Sequence, residues 1–177
     1  GWTNLDGDLL LGAVVKVAIS YPPIVNDLGQ KAMVSQNRNV QYFQKPTYLL
    51  PVIHAQGATA LKQAGHSVYW DDGNAQLKSF EQWFDDLVAW NPDVVVFEST
   101  TPVMRFYWRV TNQLKERLPK TVVVMTGYHS MRQPEETLAE SATDVVLRSN
   151  NLDFVLVRLV EEMAKNPFWR MTTEIEG

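Results

Sequence analysis

At 177 residues, with 45% apolar and 20% charged residues, the chain has the size and balance of one globular soluble domain with a full core. A net charge of −4 is a weak argument against a nucleic-acid partner, because phosphate binding calls for a cationic face. The chain has no cysteine, which excludes disulfides, thiolate zinc sites, cysteine nucleophiles and any cysteine-held iron–sulfur cluster within this stretch.

Residues 1–15 read as an N-terminal extension. Its apolar run "LLLGAVV" (Leu9 to Val15) lies between Asp8 and Lys16 and is too short to span a bilayer. It lacks the basic flank and small-residue cleavage site of a signal peptide, so a cytoplasmic location with no membrane partner is the default expectation. "KVAIS" (16–20) is the first strand candidate. A long, mostly polar connection follows over 22–50, and a loop of that length in a compact domain is usually functional or disordered. "PVIHAQGATALKQAGH" predicts a helix from Pro51 that stops at Gly65. "SVYWD" (67–71) is the second strand. "SFEQWFDDLVAW" then predicts a helix with Ser79 and Gln82 at capping-box spacing and Phe80, Trp83, Phe84, Leu87 and Val88 along one face.

"DVVVFES" (93–99) is the third strand, and the helix of "PVMRFYWRVTNQLKERL" opens with Pro102 in its first turn and ends before Pro119. "TVVVMT" (121–126) and "DVVLR" (144–148) are the fourth and fifth strands, and "LDFVLVRLVEEMAK" (152–165) is the last helix. Several strands are continuously apolar and β-branched, as expected of strands covered on both faces. The alternation predicts an α/β, flavodoxin-like fold: an open parallel five-stranded sheet of order 2-1-3-4-5 with helices on both faces.

In such a sheet, ligands bind at the carboxyl ends of the strands. Here that edge comprises Ser20, Tyr21 and Pro22, then Ser99, Thr100 and Thr101, then Thr126, Gly127, Tyr128 and His129, and lastly Ser149 and Asn150. It is rich in hydroxyls and amides and poor in charge. A phosphoacceptor receiver is excluded, because the chain offers Tyr21-Pro22, Glu98 and Arg148-Ser149 where paired acids, an aspartate and a lysine are needed. "SYPPIV" has no glycine for a phosphate-binding turn, and no G-x-S-x-G elbow occurs. Plainer roles stand beside these. Thr101 before Pro102 has the position of a helix N-cap, Gly127 that of a positive-φ turn residue, and Trp83, Phe84 and Trp90 those of core residues. His54 and His129 lack zinc-site spacing and read as hydrogen-bonding residues. Glu98, ending an apolar strand, calls for protonation, a partner or an exposed rim.

Taken together, the segments over residues 16–165 resemble the N-terminal cobalamin-binding domain of cobalamin-dependent radical SAM enzymes. "VAISYPP" opens the first strand. After the long loop, "LLPVIHAQGATALKQAGHSVYWDD" has the family's proline-led helix ending in A-G-H before an acidic strand end. "NPDVVVFESTTPVM" is similar to its K-P-D-V-V-G-x-x-x-T-T-P segment, and "TVVVMTGYHSMRQPEETL" to its strand–G-G-x-H–P-E-E segment. Two departures stand out: Thr126 replaces the first glycine of the pair, and "LRSNNLD" replaces the arginine–glycine–glutamate stretch after the fifth strand.

The resemblance implies a cobalamin-binding domain over 16–166. It implies a linker over 167–177 toward a radical SAM barrel domain that would carry a 4Fe-4S cluster and S-adenosylmethionine, in a methyltransferase or cyclase. It implies no catalytic residue and no protein ligand to the metal in this stretch. The expected cofactor-binding positions are Ser20, Tyr21, Pro22, Tyr48, Leu49, Ser99, Thr100, Thr101, Thr126, Gly127, Tyr128, His129 and Ser149, with Tyr48 and Leu49 nearest the lower face. The D-x-H-x-x-G motif that supplies an axial histidine in mutase-type cobalamin domains is missing, and residues 22–50 contain no histidine. A base-off corrinoid without an axial histidine is therefore expected. The alternative is a non-catalytic flavodoxin-like domain that binds another small ligand or a partner.

Overall fold

The computed structural model describes residues 13–34, 40–43, 45, 50–149 and 151–165. Five strands form one parallel sheet: β1 (Lys16–Tyr21), β4 (Ser67–Asp72), β5 (Val94–Glu98), β6 (Val122–Thr126) and β7 (Val145–Val146). Their spatial order is β4-β1-β5-β6-β7. Two further strands, β2 (Lys31–Val34) and β3 (Val40–Phe43), pair antiparallel as a separate hairpin within the long connection after β1. Counted without that hairpin, the sheet has the expected 2-1-3-4-5 arrangement. The helices are α1 (Val52–Gln63), α2 (Phe80–Trp90), α3 (Met104–Arg117), α4 (Tyr128–Arg132), α5 (Pro134–Glu140) and α6 (Leu152–Lys165), with a 3-10 turn over Thr101–Val103 before α3.

Strand side chains alternate between the two faces, and two cores result. Val17, Ile19, Val94, Val96, Val122 and Val124 pack against Leu61 of α1 and Leu152, Val155, Leu156 and Leu159 of α6. Ala18, Val95, Phe97, Val123 and Met125 pack on the other face against Trp83, Phe84 and Leu87 of α2 and Met104, Tyr107, Val110 and Leu114 of α3. Right-handed crossovers account for the division: the first and last helices cover one face and the middle ones the other.

The capping box of α2 is present as the spacing predicts, with Ser79 and Gln82 each bonding the other's backbone. Other expectations are corrected. β7 is shorter than 144–148: the Val123 N–H goes to the Asp144 side chain (2.8 Å), which also holds the Lys115 ammonium, although the Asp144 and Leu147 N–H groups still donate to the Val123 and Met125 carbonyls. The 22–50 connection is not wholly loop: Ile24 and Ala32 are buried in the α2–α3 core, joined by a 2.8 Å Ala32 N–H to Ile24 carbonyl bond. Trp90 packs against that core but is only partly buried. Of the N-terminal extension only residues 13–15 are described, and the linker lies outside the described residues. Among the described residues no helix is long and apolar enough to cross a membrane.

Candidate functional site

Strands β1, β5 and β6 lie side by side, so their last residues form a row. Glu98 pairs in register with Thr126, and Ser20 with Phe97. Alternation then sends Tyr21, Glu98 and Thr126 to the face covered by α1 and α6. The buried face of α1 adds His54, in line with Gly57 and Leu61 at i, i+3 and i+7.

These four side chains form one buried network. The Tyr21 hydroxyl donates to Glu98 Oε2 at 2.9 Å, and His54 Nε2 meets Thr126 Oγ1 at 2.8 Å. His54 Nδ1 stands 3.0 Å from the same Glu98 oxygen, near enough for ion pairing but off the line of a good hydrogen bond. The Tyr21 ring packs edge-on against the imidazole at 5.9 Å. Burial first, and then the Glu98 charge, raise the Tyr21 phenol well above its ordinary pKa, so it acts as a proton donor. Glu98 is thus a partnered, buried carboxyl and not a rim charge.

On the opposite face Ser20 is spent inside the fold. Its hydroxyl bonds Asp71 Oδ2 at 3.0 Å and accepts from Trp83 Nε1 at 2.9 Å. Lys78 bridges Asp71 and Asp86 at 3.1 and 2.8 Å. Burial raises the Asp71 pKa against the opposing pull of Lys78. Pro22 is buried, its carbonyl accepting from Asn74 Nδ2.

The loops after β5 and β6 close on one another. Ser99 N–H donates to the Thr126 carbonyl at 3.0 Å, and the Ser99 hydroxyl is turned inward onto Met104 Sδ at 2.6 Å. Gly127 has φ +103, and a Cβ there would lie 2.0 Å from the Ser99 carbonyl oxygen, so this position requires glycine. Thr100 is buried and caps the 3-10 turn through its backbone alone. Thr101 is not the side-chain N-cap that its position before Pro102 suggests. The 3-10 turn begins at Thr101 itself, so its side chain faces outward and meets His129 Nδ1 at 3.2 Å.

Tyr128 is 54% exposed, and its ring lies under the Arg132 guanidinium. Ser149 accepts from the Asn151 N–H beside the start of α6, apart from the β5–β6 cluster. Tyr48 and Leu49 lie outside the described residues. The structure thus brings Tyr21, Ser99, Thr100, Thr101, Thr126, Gly127 and His129 to one edge. It adds His54 and Glu98, which the sequence marks only as a hydrogen-bonding histidine and an uneasy charge.

Among the described residues, three buried polar atoms at this edge have no hydrogen-bond partner: His54 Nδ1, Asn74 Oδ1 and Trp108 Nε1, the last on the ring that packs against His129. Exposed apolar side chains collect on the same segments, among them Val25, Leu50, Val52, Leu77, Tyr128 and Phe154. The family model of the B12 binding domain matches residues 55–154, more than half of the chain. The chain belongs to the B12-binding domain family.

The match runs from α1 to the start of α6 and includes the two loops that close at Ser99 and Gly127. No curated protein and no solved structure matches the chain. The edge of this B12-binding domain suits the cofactor's chemistry. A corrinoid presents primary amides around a flat apolar macrocycle, and buried amides need paired donors and acceptors. A rim of hydroxyls, an imidazole and exposed apolar side chains meets both needs.

Proposed function

We propose that this B12-binding domain is the cofactor domain of a radical SAM enzyme. It would carry cobalamin over the carboxyl edge of its sheet, base-off and with no protein histidine on cobalt. Thr100, Thr101, Gly127, Tyr128 and His129 line the corrinoid side chains, and Ser99 and Thr126 set the shape of the loops beneath them. Pro22 and Ser149 flank this row. A corrinoid held there supplies a metal centre that takes part in methyl transfer or assists a radical step. The chain's own contribution is to bind, orient and desolvate it.

The observation that carries this reading is the hydroxyl-rich rim built from "STTPVM" and "TGYHS" within the family-matched segment. The radical SAM assignment rests on the wording of those segments and on the absence of D-x-H-x-x-G after β1. The histidines support the absence of an axial histidine: His54 is buried, with Nε2 on Thr126 and Nδ1 beside Glu98, His129 uses both ring nitrogens within the protein, and His66 lies at the opposite edge, before β4.

The test is to mix the protein with hydroxocobalamin, desalt it and record the visible spectrum. Co-eluting colour in near-stoichiometric amount is expected. A colourless, folded protein would sink the proposal. The radical SAM half is checked separately, by reading the coding sequence past residue 177 for C-x-x-x-C-x-x-C.

A further inference from the structure

Apart from the buried network, a second hydrogen-bonded chain runs along the rim on the α3–α5 side. Thr101 Oγ1 lies 3.2 Å from His129 Nδ1, and His129 Nε2 lies 3.1 Å from Glu136 Oε2. Three elements supply the three residues: the 3-10 turn after β5, α4, and the first turn of α5. The Trp108 ring stands edge-on to the imidazole, at 6.0 Å and 70°, and holds its plane.

The chemistry of these groups fixes the direction of each proton. A carboxylate only accepts, so Nε2 of His129 carries the hydrogen that Glu136 receives. In the neutral ring Nδ1 is then an acceptor. With the ring neutral, the Thr101 hydroxyl fills it by donating inward, and its lone pairs are left facing out of the protein. Thr101 is an exposed residue at the edge where the cofactor amides lie in the proposed function.

We infer that Glu136, acting through His129, makes Thr101 an obligate hydrogen-bond acceptor. Thr101 thereby selects a corrinoid side chain that ends in an amide over one that ends in a carboxylate. Thr101 is the specificity-determining contact, and His129 and Glu136 are positioning residues. The inference rests on the cobalamin-binding reading of this edge. A carboxylate set against the Thr101 lone pairs would bring two acceptors together with no proton between them. An amide N–H supplies the missing donor.

Two measurements test it. The first needs no cofactor: long-range proton–nitrogen NMR of the 15N-labelled protein, with His129 assigned by loss of its signals in His129→Gln. A bare Nδ1 and a protonated Nε2 are expected, and a proton on Nδ1 would overturn the inference.

The second compares hydroxocobalamin with its separated monocarboxylic acids, in which one side-chain amide has become a carboxylate. The wild-type protein should prefer the full amide over at least one isomer by about tenfold, the size expected when one polar contact is left unmatched. Thr101→Ser should keep that preference, Thr101→Val should lose it, and Glu136→Gln should weaken it. Adding Glu136→Gln to Thr101→Val should change nothing further. Equal preference in wild type and Thr101→Val would overturn the inference while cobalamin binding stood. Uptake of neither corrinoid by a folded wild-type protein would remove the cobalamin-binding reading, and this inference with it.

Discussion

His54 on α1 and Thr126 at the end of β6 share a 2.8 Å contact between Nε2 and Oγ1, although they are 72 residues apart in the chain. The contact ties the first helix to the loop that carries Gly127, and it does so at the edge where strand order reverses. Both side chains are buried, so neither atom finds water if the other is removed. Thr126→Val keeps the shape and deletes the hydroxyl, leaving an unpartnered imidazole nitrogen. A loss of about 1–3 kcal/mol in urea unfolding is expected, with Thr126→Ser recovering most of it. Unchanged stability in the valine variant would show that α1 does not depend on this contact.

Two glycines with similar positive φ should respond differently to alanine. Gly65, after α1, has φ +92 with nothing within 4 Å of the place a Cβ would take, so Gly65→Ala meets backbone strain alone. Gly127, at φ +103, adds a 2.0 Å clash with the Ser99 carbonyl oxygen. The cost at Gly65 should be about 1 kcal/mol. At Gly127 strain and overpacking combine, for about 3 kcal/mol or more. Paired urea melts check the difference, and equal losses would mean that the Ser99–Gly127 loops separate easily.

Where local chemistry and tertiary packing agree, the sequence is easy to read. The Val-rich runs at 94–96 and 122–124 are buried on both sides, and the Ser79–Gln82 box is complete within four residues. Misreadings fall where a distant partner decides. The β2–β3 hairpin has strands of only four residues in a polar segment, and Ile24 and Ala32 anchor it to a core built by α2 and α3. Asp144 looks like the start of a strand, yet its carboxylate is taken by Val123 and Lys115. Thr101 looks like a cap by spacing alone, and its partner is His129, 28 residues on. His54 could have been found: its spacing to Gly57 and Leu61 puts it on the buried face of α1, and a histidine buried below the strand ends needs polar company.

The Tyr21–Glu98 bond gives the fold an alkaline signature. Burial, reinforced by Glu98, holds the Tyr21 phenol well above its usual 10.0, whereas in the unfolded chain it ionises near that value. Above about pH 10 the folded state therefore keeps a proton that the unfolded state has released, and stability falls as pH rises. Below that pH the contribution is fully present. Tyr21→Phe should cost about 1–3 kcal/mol at pH 7, because Glu98 loses a buried donor. The gap between wild type and variant should narrow as the pH is raised past 10. Tyr107, whose pKa is also raised by burial, is common to both proteins and cancels. A gap that stayed constant with pH would count against the phenol as the titrating group.

The last prediction concerns the metal of a bound corrinoid. To reach cobalt, His54 would have to leave a site where it is 2% exposed and give up Thr126 and Glu98 together. His129 would have to release Thr101 and Glu136, and His66 stands at the far edge of the sheet with its Nδ1 beside the Val15 N–H. Each movement strands polar groups that are now matched, at about 1–3 kcal/mol for every buried one. A corrinoid bound here should therefore take no nitrogen from the protein on its lower face. Loss of a basic axial donor favours the low-valent metal, since axial ligands tune a metal's electronics. Electron paramagnetic resonance of the protein loaded with cobalt(II) cobalamin reads this directly. The spectrum should lack nitrogen superhyperfine splitting, as befits a displaced benzimidazole and no histidine. Splitting that vanished in His54→Ala or His129→Ala would identify that histidine as a ligand and reverse the assignment.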